Sequence, residues 1–267
     1  MKNSFFAGLL SLTVMISCQP DKQLTNYVNP LLGTATLWET KDLGYERHLK
    51  TRTWGAEVFP GSSVPNAMVQ LSPVTQFRSG AGYQYEDTVI YGFSHTNKGH
   101  WNLLHLPVLP VTGNVSSGDY ASTYSHSNES ARPGYYQVFL ERYGVNAELT
   151  STLRCAYHKY TFRPDDDKKV LVDITRTNNG VRDWSIQKVD DYTFSGNQDA
   201  EGNIRFYAVS NYKIEDVRQL KDGEHEVSII SFADSKGSKP LELKIGFSFV
   251  SIDNAKMNLE QEMKDKS

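Results

Sequence analysis

The sequence predicts an all-β fold, an antiparallel β-sandwich that ends in one helix. Three observations carry this expectation. Tyr (15) and Phe (12) are plentiful among 267 residues, while hydrophobic content is only 39% and Cys is nearly absent. That balance favours strands over helices. Short runs of alternating apolar character recur between Gly, Pro, Asn and Asp turn signals, as a sandwich requires and a βαβ fold does not. A helical period of three and four takes over only after Val250. The chain is long enough for one large or two modest domains and can bury roughly 70–75% of its unfolded surface without disulfides. Net charge is −3, with the 28 basic residues scattered, so no electrostatic footprint for nucleic acid is present.

Residues 1–17 read as a signal peptide. Lys2 is its charged start, and Phe5 to Ile16 is an apolar run too short to span a bilayer. Met15-Ile16-Ser17-Cys18 resembles a bacterial lipobox, in which Cys18 would be acylated; the alternative is an ordinary signal peptide with a chance cysteine. Removing residues 1–17 takes away only Lys2, which leaves a mature charge of −4. Gln19, where a retained lipoprotein of the resembled class has Asp, points to the outer membrane or periplasm. An acylated Cys18 leaves Cys155 as a lone thiol, expected buried and inert. Residues 18–26 form a tether, residues 27–250 the sandwich, and residues 251–267 a linker helix.

Within the sandwich, residues 36–53 show no period and read as a long loop. Trp54 to Asn66 follows, where two prolines and two glycines force turns that hold Trp54 and Glu57 in place. Residues 67–73 are an expected strand ended by Pro73. Val89, Tyr91 and Phe93 alternate as a strand that breaks into Ser94-His95-Thr96-Asn97-Lys98-Gly99-His100-Trp101-Asn102. Leu103 to Leu109 reads as a further strand, closed by Pro110 and Gly113. Tyr135–Arg142 and Val145–Arg154 form a hairpin around Tyr143-Gly144. Residues 157–162, 170–174, 184–189, 192–196, 204–212, 227–232 and 241–250 are further strands. Asp165-Asp166-Asp167 reads as a solvated turn, and His158 as a hydrogen-bonded sheet residue. Ser251 can cap a helix whose Ile252, Ala255, Leu259 and Met263 share one face. Glu260 and Glu262 precede Lys264 and Lys266 by four and fit an exposed opposite face. The helix is expected to project from the sandwich.

The loop at 94–102 is dense in hydrogen-bonding groups and carries one large aromatic face. That content suits a neutral polyol such as a sugar, whose hydroxyls take directed bonds and whose C–H face packs on a flat ring. The candidate sugar contacts are Trp54, Glu57, His95, Thr96, Asn97, Lys98, His100 and Trp101. A solvated turn with Trp101 folded inward is the alternative. Zinc binding by His95, His100 and His105 is disfavoured, because a spacing of five puts them on one face of neither a strand nor a helix.

Several stretches resemble the N-terminal domain of glycoside hydrolase family 92, the calcium-dependent exo-acting α-mannosidases. They are Tyr27–Thr34, Phe59–Gln76, Gly82–His95, Ala147–Thr152 with His158–Phe162, and Lys244–Ser251 with Asn254-Ala255. The resemblance runs in order from Tyr27 to Glu262. Three departures stand out: Asn66-Ala67 where the family usually has Phe-Gly, Val74 where it has Asp, and His95–Asn102 where it has His-Thr-His-Leu-Ser-Gly-Thr-Gly. The last lies in the substrate-facing loop, so the resemblance leaves linkage and sugar identity open.

The resemblance implies a galactose-mutarotase-like super-sandwich whose last helix leads toward a helical-barrel catalytic domain. It implies an α-mannose-containing glycan as partner, with no nucleic acid. In the family the acid, the base and most calcium ligands belong to the barrel. This chain is therefore expected to hold no catalytic residue, metal or cofactor of its own and to hydrolyse no glycoside alone, as a truncated or split gene product or as the partner of a separately encoded helical barrel. Inversion needs two carboxyl groups roughly 6.5–9.5 Å apart, and Glu57, Glu86 and Asp87 are the only acids near the key loops. The other reading is a stand-alone, lipid-anchored surface carbohydrate-binding protein. On either reading Trp54 and Trp101 could pack on a barrel and never meet sugar.

Overall fold

A computed structural model describes residues 23–35, 58–96, 103–223 and 225–264. Among these residues the chain forms a short strand β1 (Ser72–Val74), then β2 (Val89–Ile90), β3 (Gly92–Ser94), β4 (Val108–Val111) and β5 (Ser122–Thr123). Longer strands follow: β6 (Glu129–Arg132), β7 (Tyr135–Leu140), β8 (Val145–Ser151), β9 (Cys155–Thr161) and β10 (Lys169–Val172). The last are β11 (Asp183–Lys188), β12 (Thr193–Ala200), β13 (Gly202–Ser210), β14 (Ile214–Asp222), β15 (His225–Phe232) and β16 (Leu241–Ser248), before helix α1 (Ile252–Met263). A six-stranded sheet runs β1-β3-β4-β10-β15-β14, an eight-stranded sheet β11-β12-β13-β16-β9-β8-β7-β6, and β2 pairs with β5. Every named pairing is antiparallel.

The two large sheets share one apolar core, which is why alternation is so visible in the sequence. In β8, Val145, Ala147 and Leu149 point inward while Asn146, Glu148 and Thr150 face out. In β16, Leu241, Leu243, Ile245 and Phe247 do the same. Phe93 of the smaller sheet lies 6.5 Å from the Tyr136 ring and 6.4 Å from the Tyr160 ring of the larger one. Each such fully buried side chain contributes about 1.5–3 kcal/mol relative to exposure. The β7–β8 hairpin turns at Gly144 (φ +64°), where a Cβ would also collide with the Arg163 guanidinium.

Three strand expectations are corrected. The strand expected over residues 67–73 begins only at Ser72, and it passes through Pro73 to Val74; a proline is tolerated because β1 is an edge strand. The run from Val89 to Phe93 divides at Tyr91, so that β2 pairs with β5 while β3 joins β1 and β4. Leu103–Pro107 is not strand, because Leu104 (φ 59°) and Leu106 (φ 50°) are left-handed and fully buried. Such a backbone is costly for a leucine and survives only where its surroundings impose it.

Helix α1 does not project. It lies on the outer face of the eight-stranded sheet, so close to Gly246 that a Cβ there would stand 2.2 Å from the Ala255 carbonyl oxygen. Leu259 and Met263 bury against Cys155, and Asn258 donates to the Phe247 carbonyl at 2.8 Å. Ser251 caps the helix as expected, accepting from the Asn254 amide at 3.0 Å. Glu262, expected on the exposed face, turns inward to pair with Arg154 Nε at 2.6 Å and to accept from Thr152. The Cys155 thiol is buried beneath this contact and pushed up to about 12, chiefly by burial and then by the Glu262 charge.

Candidate functional site

The two loops singled out from the sequence enter and leave the fold side by side. Ser62 and Leu71 exchange backbone hydrogen bonds at 2.8 and 2.9 Å. One residue on, β1 continues into its pairing with β3 through Ser72 and Ser94. The Gln70 amide donates to the His95 carbonyl at 3.0 Å, and the His95 amide donates to the His105 carbonyl at 3.1 Å. Ser62, residues 70–72, residues 94–96 and His105 thus form one bonded strip at the described flanks of the 54–65 and 94–102 loops. Trp54, Glu57, Asn97, Lys98, His100 and Trp101 lie outside the described residues.

His95 and Thr96, expected as sugar contacts, are inside the fold, at 0% and 1% exposure. Thr96 Oγ1 is 2.7 Å from His105 Nδ1 and also accepts from the His105 amide at 3.3 Å. These bonds close the neck of the 94–102 loop. His95 Nε2 meets His158 Nε2 at 3.0 Å, and Tyr160 Oη meets His158 Nδ1 at 2.7 Å. Between two ring nitrogens one must donate and the other accept. One arrangement that makes both bonds has Tyr160 Oη–H donating to His158 Nδ1 and His158 Nε2–H donating to His95 Nε2, while His95 Nδ1 is buried without a hydrogen-bond partner among the described residues. All three rings then remain neutral. Burial is the chief cause: His95 is pushed down to about 3, His105 to about 4, and His158 well below its ordinary value by burial and then by the neighbouring His95. A neutral relay of this kind fixes geometry and has no ready proton to give at neutral pH. His158 therefore hydrogen-bonds inside the sandwich, as its sequence context suggests.

Of the acids near the loops, Glu86 is exposed, while Asp87 accepts from Thr75 Oγ1 at 2.8 Å. Two other carboxylates, which sequence reasoning passed over, are fully buried. Glu129 accepts from Tyr83 Oη at 3.0 Å and Tyr136 Oη at 2.5 Å, and meets His126 Nδ1 at 2.6 Å. His126 Nε2 contacts the Tyr85 carbonyl at 2.6 Å, and its ring stacks on Tyr85 at 3.9 Å. Asp173 accepts from Tyr120 and meets His225 Nε2 at 3.0 Å, with Arg176 3.7 Å away. No motif spacing announces either cluster: beside the local pairs His126–Glu129 and Asp173–Arg176, Tyr83 comes from 46 residues away and His225 from 52. A cavity of about 910 Å³ lies over β10, β14 and β15 beside Lys169, Glu215, Arg218 and Lys236, away from the strip that roots the loops.

Comparison with known proteins extends this picture. The Glycosyl hydrolase family 92 N-terminal domain matches residues 27–249. A family GH92 α-mannosidase of Bacteroides thetaiotaomicron shares 27% identity and a TM-score of 0.77 over 92% of this chain and 36% of that one. The same enzyme in complex with mannoimidazole superposes with a TM-score of 0.75. A GH92 inverting mannosidase of the same organism, at 22% identity and TM-score 0.75, shares the fold. An uncharacterized secreted glycosidase of Arthroderma benhamiae is 23% identical over 91% of this chain and 32% of its own length. The chain thus spans about a third of the length of these relatives. With a sandwich that superposes on theirs and a match over residues 27–249, the chain belongs to the N-terminal domain family of glycosyl hydrolase family 92.

Proposed function

We propose that this chain shapes one side of the substrate cleft of an inverting α-mannosidase and does not hydrolyse glycosides unaided. The observation that carries this reading is the single bonded strip from which both candidate loops spring, buried and stiffened by neutral His95, Thr96 and His105. A cleft wall needs loops that keep their place when ligand arrives, since ordering them at that moment lowers affinity. On this reading Trp54 and Trp101 offer apolar faces, Asn97, Lys98 and His100 donate or accept, and Glu57 accepts. His95 and Thr96 act from behind by holding the loop root. The general acid and base belong to the remaining two-thirds found in the relatives. On this reading calcium belongs there too.

A half-cleft buries little of its ligand, so binding is expected in the millimolar range or weaker. Mannose and α-mannobiose titrated against the chain by NMR should shift the indole N–H signals of Trp54 and Trp101, and Trp101→Ala should abolish the shifts. Shifts that bypass both indoles would reject the site. The chain alone should release no product from an aryl α-mannoside, and measurable turnover would overturn the non-catalytic assignment.

A second reading, a lipid-anchored surface binding protein with no catalytic partner, draws on Met15-Ile16-Ser17-Cys18. Acylation of Cys18 would supply the two lipid signals that stable anchoring needs. Cys18→Ser should then move the protein from the membrane to the soluble fraction, and unchanged fractionation would remove the anchor from either reading. Expression with and without the downstream coding region separates the two: hydrolysis only in the longer product supports the cleft-wall reading.

A further inference from the structure

We infer that the outer face of the eight-stranded sheet carries a second carbohydrate site, a slot between Tyr135 and Tyr157 that takes one neutral pyranose. The register places Tyr135 on β7 opposite Thr150 on β8, and Thr150 opposite Tyr157 on β9. Directly opposed residues share a face, and β8 shows which one: Leu149 and Ser151 are buried, and Thr150 is on the other side. The two tyrosines therefore stand two inter-strand steps apart, about 9.5 Å, with a threonine as floor. A sugar ring held between two aromatic faces needs about 7–8 Å, twice an ordinary carbon–carbon contact. A cavity of about 340 Å³ lies here, lined by both tyrosines, Thr150, Glu148, Lys159 and Glu242. That volume falls within the range of small-ligand pockets.

The neighbours fit the same purpose. Arg132, paired with Tyr135 from the edge strand β6, stands 4.5 Å from its ring centroid, and Lys244, paired with Tyr157 from β16, stands 5.9 Å from that ring. Each cation is on the strand beyond its tyrosine, leaving Thr150 and the cavity between the rings. In the next row Glu148, Lys159 and Glu242 oppose one another across three strands. Tyr135 Oη donates to Glu148 at 2.9 Å, and Tyr157 is hydrogen-bonded to Glu242, so both rings are tied toward the same wall. That wall offers carboxylate acceptors and one ammonium, which is 3.4 Å from Glu148. These groups suit the directed hydrogen bonds of a hydroxylated ligand. The slot shares no residue with the loop site.

The test is a titration of the full chain with methyl α-mannopyranoside, following the tyrosine ring signals by NMR. Tyr135 and Tyr157 should shift with the sugar. Tyr135→Ala and Tyr157→Ala should each weaken that binding about tenfold, the loss of one stacking face. Trp101→Ala should leave it unchanged. An unaltered unfolding midpoint in each tyrosine variant shows that the sheet is intact; where one variant unfolds, Tyr157→Phe, which keeps the ring, should retain binding within about threefold. Silent tyrosine signals up to about 50 mM sugar, binding indifferent to both alanine variants, or loss of the tyrosine shifts in Trp101→Ala would each overturn the proposal.

Discussion

Two histidine clusters of this sandwich are built on opposite terms. His95 and His158 sit between the sheets with Tyr160 and no acid, and burial keeps both rings neutral. His126 stands at the rim, a third exposed, with an acceptor on each nitrogen: the Tyr85 carbonyl and the buried Glu129 carboxylate. Satisfying both acceptors requires two N–H groups, or a proton shared with Glu129. The same side chain is thus an uncharged spacer in one place and a hydrogen-bonded tie to a buried carboxylate in the other. What differs is whether a carboxylate accompanies it out of water, because a lone buried charge costs far more than a paired one.

Acid should break the comparison most strongly. Histidine in the unfolded chain titrates near 6.5. His95 and His105 are held down to about 3 and about 4 in the fold, and His158 well below its ordinary value. Below pH 6.5 the unfolded chain therefore binds more protons than the folded one. The stability tied to neutral rings is full above that pH and drains away as pH falls toward the folded values. Each ring should contribute a slope of about 1.4 kcal/mol per pH unit between about pH 6 and 4. Urea unfolding at pH 7, 6 and 5 measures it; a flat profile would mean that these rings are already charged.

Next in size is Glu129→Ala, which strands two tyrosine hydroxyls and His126 without their shared acceptor. A loss of about 3–5 kcal/mol is expected, with Glu129→Gln retaining part of it through its amide oxygen. Equal losses in the two variants would show that the charge alone matters. His158→Ala should cost about 2–4 kcal/mol, from the cavity and from the unpaired Tyr160 and His95. If His158 also positions the loop root, the same variant should broaden the Trp101 indole signal, whereas Glu129→Ala should not. The smallest effect is that of Tyr85→Ala, which removes the ring stacked on His126 and should cost about 1 kcal/mol in the unfolding midpoint.

Strands with a buried face were legible in the sequence, and two edge strands were not. β8, β9 and β16 alternate because one side of each faces the core. β14 carries Ile214, Val217 and Leu220 at a spacing of three, and β6 reads Glu-Ser-Ala-Arg. Both are outermost in their sheets, where a polar strand discourages pairing with other chains and leaves little period to read. The candidate loops were identified by composition, and the structure adds that their roots are neighbours. It also withdraws His95 and Thr96 from the surface, which a polar residue in a loop gives no hint of.

By itself the sequence determined what depends on near neighbours along the chain: alternation that puts one strand face in oil, Gly144 at a tight turn, and Ser251 as a helix cap. The tertiary structure alone decided which distant groups meet. His95 finds His158 from 63 residues away. Glu129 gathers Tyr83 and His126, and α1 turns back onto Gly246 instead of projecting. Local pattern is set by backbone geometry and by which side of a strand is dry. Long-range pairing is set by strand order and register, which many sheets of the same alternating strands could satisfy differently.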